Sequence, residues 1–301
     1  MKVTVTGATG LIGTRIVAAL QARGDEVTVL SRSPERAAAA LGVEAAAWDP
    51  LAGPAPAAAL AGRDAVIHLA GENVAQRWTA AAKQAIRDSR VTGTRNLVAG
   101  IEAAAPRPAA LVSASAVGYY GPHGDERVDE SAPPSADFLG ATCQAWEAEA
   151  LAAAALGLRV VLIRTGIVLA PDGGALEKML PPFKLGAGGP IAGGRHYMPW
   201  VHVDDVAGMF IAAADGAEWS GPVNATAPEP VTNAVFSKAL GHALHRPAVA
   251  PVPAFALKLL YGEMSEIITT GQRAVPARAA ELGYRHAHPD LGEALAAALH
   301  S

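Results

Sequence analysis

Three glycines at positions 7, 10 and 13, in the segment TGATGLIG, stand between an apolar run at 3–5 and a stretch of helical periodicity at 11–22. A strand can turn into a helix over so few residues only where the backbone is free of side chains at the crossing. One glycine permits the tight bend and a second lets the backbone approach a bound pyrophosphate. The third lets the helix pack on the strand, while free N–H groups at the helix start attract the anion. A glycine triad alone is a weak signal. Here a second β-like run follows at 26–30, so the triad opens a strand–helix–strand unit, the context in which dinucleotides bind.

The alternation continues along the chain. Helical patterns at 34–41, 79–104 and 142–156 separate β-like runs at 65–69, 109–113 and 159–164. Such an order builds a parallel sheet with crossover helices on both faces. After Gly166 the segments 171–174, 181–182 and 186–194 are rich in glycine and proline, and long irregular stretches of this kind build a lid or a substrate wall. Helix resumes at 203–214, a β-like piece follows at 223–226, and helices are expected at 233–244 and 291–299. The expected fold class is α/β, a Rossmann-type doubly wound parallel sheet. Residues 1–165 form its cofactor-binding core and 166–301 a smaller C-terminal substrate-binding region, from which 203–226 returns to the core.

Composition narrows the function classes. With 51% hydrophobic and 17% charged residues, the chain is not disordered. The net charge of −4, from 28 acidic and 24 basic residues, suits neither a nucleic-acid sleeve nor an anionic-membrane binder. A single cysteine, Cys143, excludes an intramolecular disulfide and a thiolate zinc site. The nine histidines form no HExxH or similar signature, so no metal is expected. No apolar run approaches the ~18 residues that cross a bilayer, and no secretory signal opens the chain. The expectation is a cytoplasmic protein with a small-molecule substrate, no nucleic-acid partner and no membrane.

At the end of the second strand an acidic side chain would accept from a ribose hydroxyl, whereas an arginine would pair with a 2′-phosphate. The chain has Ser31-Arg32-Ser33-Pro34 there, followed by Arg36. A guanidinium fork suits phosphate, so NADP(H) is favoured over NAD(H).

With TGATGLIG, DAVIHLAG at 64–71, SASAVGYYG at 113–121 and VHVDDVA at 201–207, in that order, the chain resembles the extended short-chain dehydrogenase/reductase superfamily. GENVAQRWT at 71–79, IRDSRVTGT at 86–94 and GEMSEIITTGQRAVP at 262–276 narrow the resemblance to the atypical epimerase family proteins, NAD(P)-dependent epimerase/dehydratase-like, with their C-terminal domain. The resemblance covers essentially the whole chain. It implies that Gly7, Ala8, Thr9, Gly10, Leu11, Ile12 and Gly13 wrap the pyrophosphate and that Arg32 and Ser33 hold the adenosine phosphate. Asp49 faces adenine or is only a turn acid. Leu69, Ala70 and Gly71 lie along the ribose, Arg90 approaches the cofactor, and Glu72 and Asn73 point into the cleft. Tyr197, Met198 and Trp200 stand where extended members line the substrate pocket, unless they pack a lid. Relatives often pair into homodimers through the helices at 79–104 and 142–156.

The superfamily uses a tyrosine as acid or base, a lysine four residues on that lowers its pKa, and a serine that orients the substrate oxygen. Ser115 matches the serine, but Leu139 and Cys143 occupy the tyrosine and lysine positions, a departure the epimerase-like group shares. Tyr119 and Tyr120 follow Ser115 closely. Tyr119 is a pocket candidate, and Tyr120 either donates the proton or only shapes the pocket. Glu72 and Arg90 are other cleft groups. Two functions remain: an NADP(H)-dependent oxidoreductase or epimerase-like enzyme with an unidentified small substrate, or an NADP(H)-binding sensor or scaffold that has lost turnover.

Overall fold

Side chains alternate faces along a strand, so the apolar runs at the sheet centre must be covered on both sides. The computed structural model, which describes residues 1–300, shows how. Strands β1 (Lys2–Thr6), β2 (Glu26–Ser31), β3 (Glu44–Ala47), β4 (Ala65–His68), β5 (Ala110–Ala116), β6 (Arg159–Thr165) and β7 (Gly221–Ala225) form one parallel sheet in the order β7-β6-β5-β4-β1-β2-β3. The order runs outward from β1 in both directions. A sheet that reverses in this way opens a crevice at the carboxyl ends of the strands beside the reversal.

Helices α1 (Leu11–Ala22), α2 (Pro34–Leu41), α3 (Ala80–Ala103), α4 (Phe138–Leu151), α5 (Gly174–Lys184) and α6 (Val203–Asp215) follow in chain order. Val66, Leu111, Val160 and Leu162 face one side of the sheet and pack with Leu97 and Ile101 of α3 and Ala150 of α4. Their neighbours Ile67, Val112, Val161 and Ile163 face the other side, against Ile16 and Leu20 of α1 and Met209 and Phe210 of α6. Each buried aliphatic side chain is worth roughly 1.5–3 kcal/mol. Beyond the sheet lie α7 (Asn233–Ala243), α8 (Ala254–Tyr261), α9 (Ser265–Thr269), α10 (Ala277–Glu281) and α11 (Leu291–His300). A third core joins Leu176 and Phe183 of α5 to Phe236 and Leu240 of α7 and Leu291 and Leu295 of α11.

The differences from the sequence pattern have local causes. Helix α4 starts at Phe138, not Thr142, because Asp137 caps it by accepting from the Gly140 N–H at 2.8 Å. Helix α5 holds Pro181 and Pro182 inside a segment read as irregular. Each proline forgoes the bond its N–H would make to the carbonyl four residues back, and buried Leu176 and Phe183 anchor the helix in spite of that loss. Strand β3, EAAA, has neither β-branched nor aromatic residues, and its place at the sheet edge beside β2 was not readable. No helix among the described residues is long and apolar enough to cross a membrane.

At the crevice, β1 and β4 are joined by a buried polar relay. The Thr6 hydroxyl accepts from the Leu69 and Ala70 N–H groups at 3.2 Å and lies 2.7 Å from His68 Nδ1. With both of those N–H groups pointing at its oxygen, Thr6 donates its own proton to Nδ1, which places the ring proton on Nε2. That nitrogen then donates to Thr94 Oγ1 of α3 at 3.0 Å. Burial lowers the His68 pKa from 6.5 to about 4, so the ring stays neutral and the relay intact. Between pH 6.5 and about 4 the unfolded chain gains a proton that folded His68 refuses. Stability present above pH 6.5 should therefore fall by roughly 1.4 kcal/mol per pH unit as the pH drops through that window. Denaturant unfolding at stepped pH should show this slope reduced by about one proton in His68→Gln. An unchanged slope in the variant would assign the pH dependence to other groups.

Candidate functional site

The crevice is a cleft of about 370 Å³ at the ends of β1, β2 and β4. Gly7, Ala8, Thr9, Gly10, Arg32, Asp49, Leu69, Ala70, Gly71 and Glu72 all line it, joined by Trp48, Ala85 and Ser89, which the motifs did not point to. Gly7 has φ +67°, and a Cβ there would lie 2.7 Å from the Leu69 carbonyl carbon. A Cβ on Gly13 would lie 2.4 Å from the Gly7 oxygen. Both positions exclude a side chain, so the first turn of α1 presses against the strand end. Gly10 caps α1 without any side-chain bond, which leaves the helix-start N–H groups facing the cleft region without a side-chain acceptor.

Arg32 is exposed at the end of β2 and makes no hydrogen bond or ion pair with another described residue. Ser33 caps α2 without a side-chain bond, and its N–H donates to Ser31 Oγ at 3.1 Å. Asp49 Oδ1 accepts from the Leu51 N–H at 3.0 Å, which fixes the turn beside the cleft. Leu11, Ile12 and Gly13 do not line the cleft with side chains; Leu11 instead reaches Gly173 and Gly174 at the start of α5.

Arg90 stands behind the wall and does not line it. Its guanidinium carbon would meet a Cβ on Gly71 at 3.3 Å, its Nη1 donates to the Glu72 carbonyl at 2.9 Å, and it lies over the Trp146 ring. Glu72 is thereby held on both sides of its peptide frame, since its N–H donates to Ser89 Oγ at 2.9 Å. Its carboxylate is exposed and accepts from Gln76 at 3.3 Å. Asn73 is exposed and fixes its own loop by accepting from the Ala75 N–H.

Several expectations need correction. Tyr120 is not a cleft acid: its ring is fully buried, and its hydroxyl donates to Asn224 Oδ1 at 2.7 Å and accepts from Arg164 at 3.0 Å. Burial pushes its pKa up to about 12, against the pull of Arg164. Ser115 is 3% exposed and donates to Glu147 Oε1 at 2.6 Å. Glu147 also pairs bidentately with Arg164 at 2.8 Å, and Tyr119 lies under the same guanidinium at 3.6 Å. Met198 and Trp200 belong to the third core, where the Trp200 indole donates to the Glu229 carbonyl. Tyr197 is half-buried beneath Arg273 of the C-terminal segment. Leu139 packs against Gly118, and buried Cys143 has its thiol pushed up to about 12 by burial, so neither supplies the missing acid–base pair. Glu147 and Arg164 escaped sequence reasoning because nothing local sets them apart from Glu149 on the same helix and Arg159 on the same strand.

Two of the three distinctive stretches, 71–79 and 262–276, adjoin in space where Arg77 lies beside Gly262. Arg77 donates to the Leu259 and Leu260 carbonyls of α8, and Lys83 pairs with Glu263. Lys178 of α5 donates to the Ala75 carbonyl at 2.9 Å. The loop after Gly71 is thus gripped by helices of the C-terminal half.

Residues 3–224 match the NAD dependent epimerase/dehydratase family, and residues 252–298 match a domain of unknown function, DUF1731. The epimerase family protein Mb2239 of Mycobacterium bovis is 41% identical over 296 residues, covering 97% of this chain and 96% of its own. The crystal structure of human epimerase family protein SDR39U1 (isoform 2) with NADPH superposes with a TM-score of 0.88 at 36% identity, covering 99% of each chain. MoeE5 in complex with UDP-glucose and NAD shares the fold, with a TM-score of 0.79 at 23% identity over 99% of this chain and 97% of its own. Matched along almost its whole length and by relatives of the same extent, this chain belongs to the NAD dependent epimerase/dehydratase family.

Proposed function

We propose that the cleft binds NADP(H) and that the protein is an oxidoreductase or epimerase-like enzyme acting on a small molecule. The observation that carries this reading is unpaired Arg32 at the rim of a cleft whose floor is bare backbone at Gly7 and Gly10. The residues fit a dinucleotide. Gly7 and Gly13 allow the close backbone approach that a pyrophosphate needs, and Asp49 with Trp48 bounds the adenine side. Nicotinamide dinucleotides in the solved relatives support the cofactor class: the human relative's structure contains NADPH and that of MoeE5 contains NAD. The preference for the 2′-phosphate rests on Arg32, whose fork suits a phosphate, at a strand end that itself carries no carboxylate.

When bound, the nicotinamide supplies or accepts a hydride. The protein's own part is to hold substrate beside it and to move a proton. Of the acidic groups lining the cleft, Asp49 sits beyond β3, while Glu72 follows the β4 strand end with its backbone clamped by Ser89 and Arg90. Glu72 is therefore the side chain assigned to proton transfer. Residues 166–301, with α6 and β7 packed into the core, form the substrate side, gripping the Glu72 loop through α5 and α8.

Two measurements test this. Arg32→Asp should weaken NADPH by about tenfold to a hundredfold, the loss of one charge-assisted pair worth roughly 1.5–3 kcal/mol, and should spare NADH. Equal affinity of the unmodified protein for NADPH and NADH would overturn the phosphate assignment. NADPH oxidation should then be screened against a panel of carbonyl compounds. With an active compound, Glu72→Gln should lower turnover by about 10²–10⁴ while NADPH affinity stays within a few-fold. Ser115→Ala and Tyr120→Phe should instead cost roughly 1–3 kcal/mol of stability with turnover per folded molecule little changed. Tight NADPH binding without oxidation by any compound would favour the sensor reading, which the committed side chains of Ser115 and Tyr120 also fit.

A further inference from the structure

The loop before α11 returns to the N-terminus of α6, on residues separate from those of the cofactor cleft. We propose that His202, Asp204 and His288 there form a binding site for a divalent transition-metal ion of the zinc class, which fastens the C-terminal segment to the core.

The three side chains converge. Asp204 Oδ2 lies 3.6 Å from His202 Nδ1 and 3.9 Å from His288 Nε2, and one ligand atom from each residue lies within 4.8 Å of the other two. Ligands about 2.0–2.2 Å from a tetrahedral ion stand roughly 3.3–3.5 Å apart, so a small rotation of the exposed Asp204 and half-buried His288 side chains closes the set. The frame is already rigid. The Asp205 carboxylate accepts from the Ala287 and His288 N–H groups at 2.6 and 3.0 Å, and the Tyr284 hydroxyl donates to the Asp205 carbonyl. His286 Nε2 donates to the Thr226 carbonyl at 2.9 Å.

Capping α6 accounts for only one of the His202 ring nitrogens. The residue is 2% exposed, and while its Nδ1 accepts from the Asp204 N–H at 3.3 Å, its Nε2 has no partner among the described residues. Its ring lies 3.9 Å from that of His288, tilted by 46°. Two imidazoles with one carboxylate suit zinc, cobalt or nickel better than calcium or magnesium. Asp204 is 49% exposed, so solvent reaches a fourth position. The sequence expectation of no metal rested on linear signatures, whereas here the ligands come from two segments that only the fold brings together.

The test uses the full chain without an affinity tag. Cobalt titration followed by d–d absorption, and zinc titration by calorimetry, should give one site per chain, and zinc should raise the melting temperature. Asp204→Asn and His288→Ala should each weaken binding by about tenfold or more while NADPH affinity is unchanged. Asp204 is exposed and His288 half-buried, so folding is checked independently by the melting curve without metal. Absence of a saturable site up to about 1 mM metal, or variants that bind as tightly as the parent, would overturn the proposal.

Discussion

The ion pair of Glu147 and Arg164 is the constraint around which the interior between α4, β5 and β6 is arranged. Both side chains are almost wholly withdrawn from water, and two charges so placed are tolerated only when geometry and further hydrogen bonds offset their desolvation. That offset is supplied by the bidentate contact and by Ser115, Tyr120 and the Glu130 carbonyl. Burial would push the Arg164 pKa down, but the Glu147 carboxylate raises it and keeps the guanidinium charged. Removing one partner would strand the other, a loss of roughly 3–5 kcal/mol. Through this pair α4, β5 and β6 are fixed relative to one another, and Asn224 extends the network to β7.

The cleft depends on backbone and the interior behind β5 and β6 on buried charge. At the cleft end Gly7 and Gly13 let strand, turn and helix touch, and the Thr6, His68 and Thr94 relay holds the β4 strand end in register beside them. At the other end the polar network pulls Ser115 and Tyr120 away from the cleft. This explains how membership of the family and the changed residues at positions 139 and 143 coexist. The pyrophosphate cradle needs only main-chain geometry, which the glycines keep, whereas the tyrosine and lysine positions carry Leu139 and Cys143.

Much of this was legible in the chain because it is local. The glycine turn, the strands of the sheet other than β3 and helices α1, α2, α3 and α6 declare themselves through period-2 and period-3.6 patterns, and most of the cleft residues follow from strand ends. What escaped depends on partners distant in sequence. His68 sits in an apolar strand and its partners are Thr6 and Thr94; Glu147 is one buried carboxylate on an alanine-rich helix whose partner is Arg164. Tyr120 was misplaced because nearness in sequence fixes distance and not direction. After β5 a 3₁₀ turn at Val117–Tyr119 rolls the next residue inward, toward Asn224. Trp200 was misplaced for a related reason, since a large aromatic after a glycine-rich loop fills a core as readily as it lines a pocket.

The C-terminal segment has a physical task that follows from the same network. The Asn224 side chain, already accepting from Tyr120, donates to the Val275 carbonyl, and Glu130 accepts from the Arg278 N–H. Gln272 donates to the Val117 carbonyl at 2.7 Å, and the short strand Arg273–Ala274 pairs with Arg127–Val128. Residues 272–278 thus close over the buried charges and supply acceptors and donors that water would otherwise provide. A buried ion pair is tolerable only while water stays out and every remaining polar atom is satisfied. The segment just before residues 272–278, the end of α8 and the turn at Gly262–Met264, reaches Arg77 and Lys83. The same stretch of chain therefore seals the interior at one end and holds the loop after Gly71 at the other, which ties the stability of the network to the geometry of the cleft.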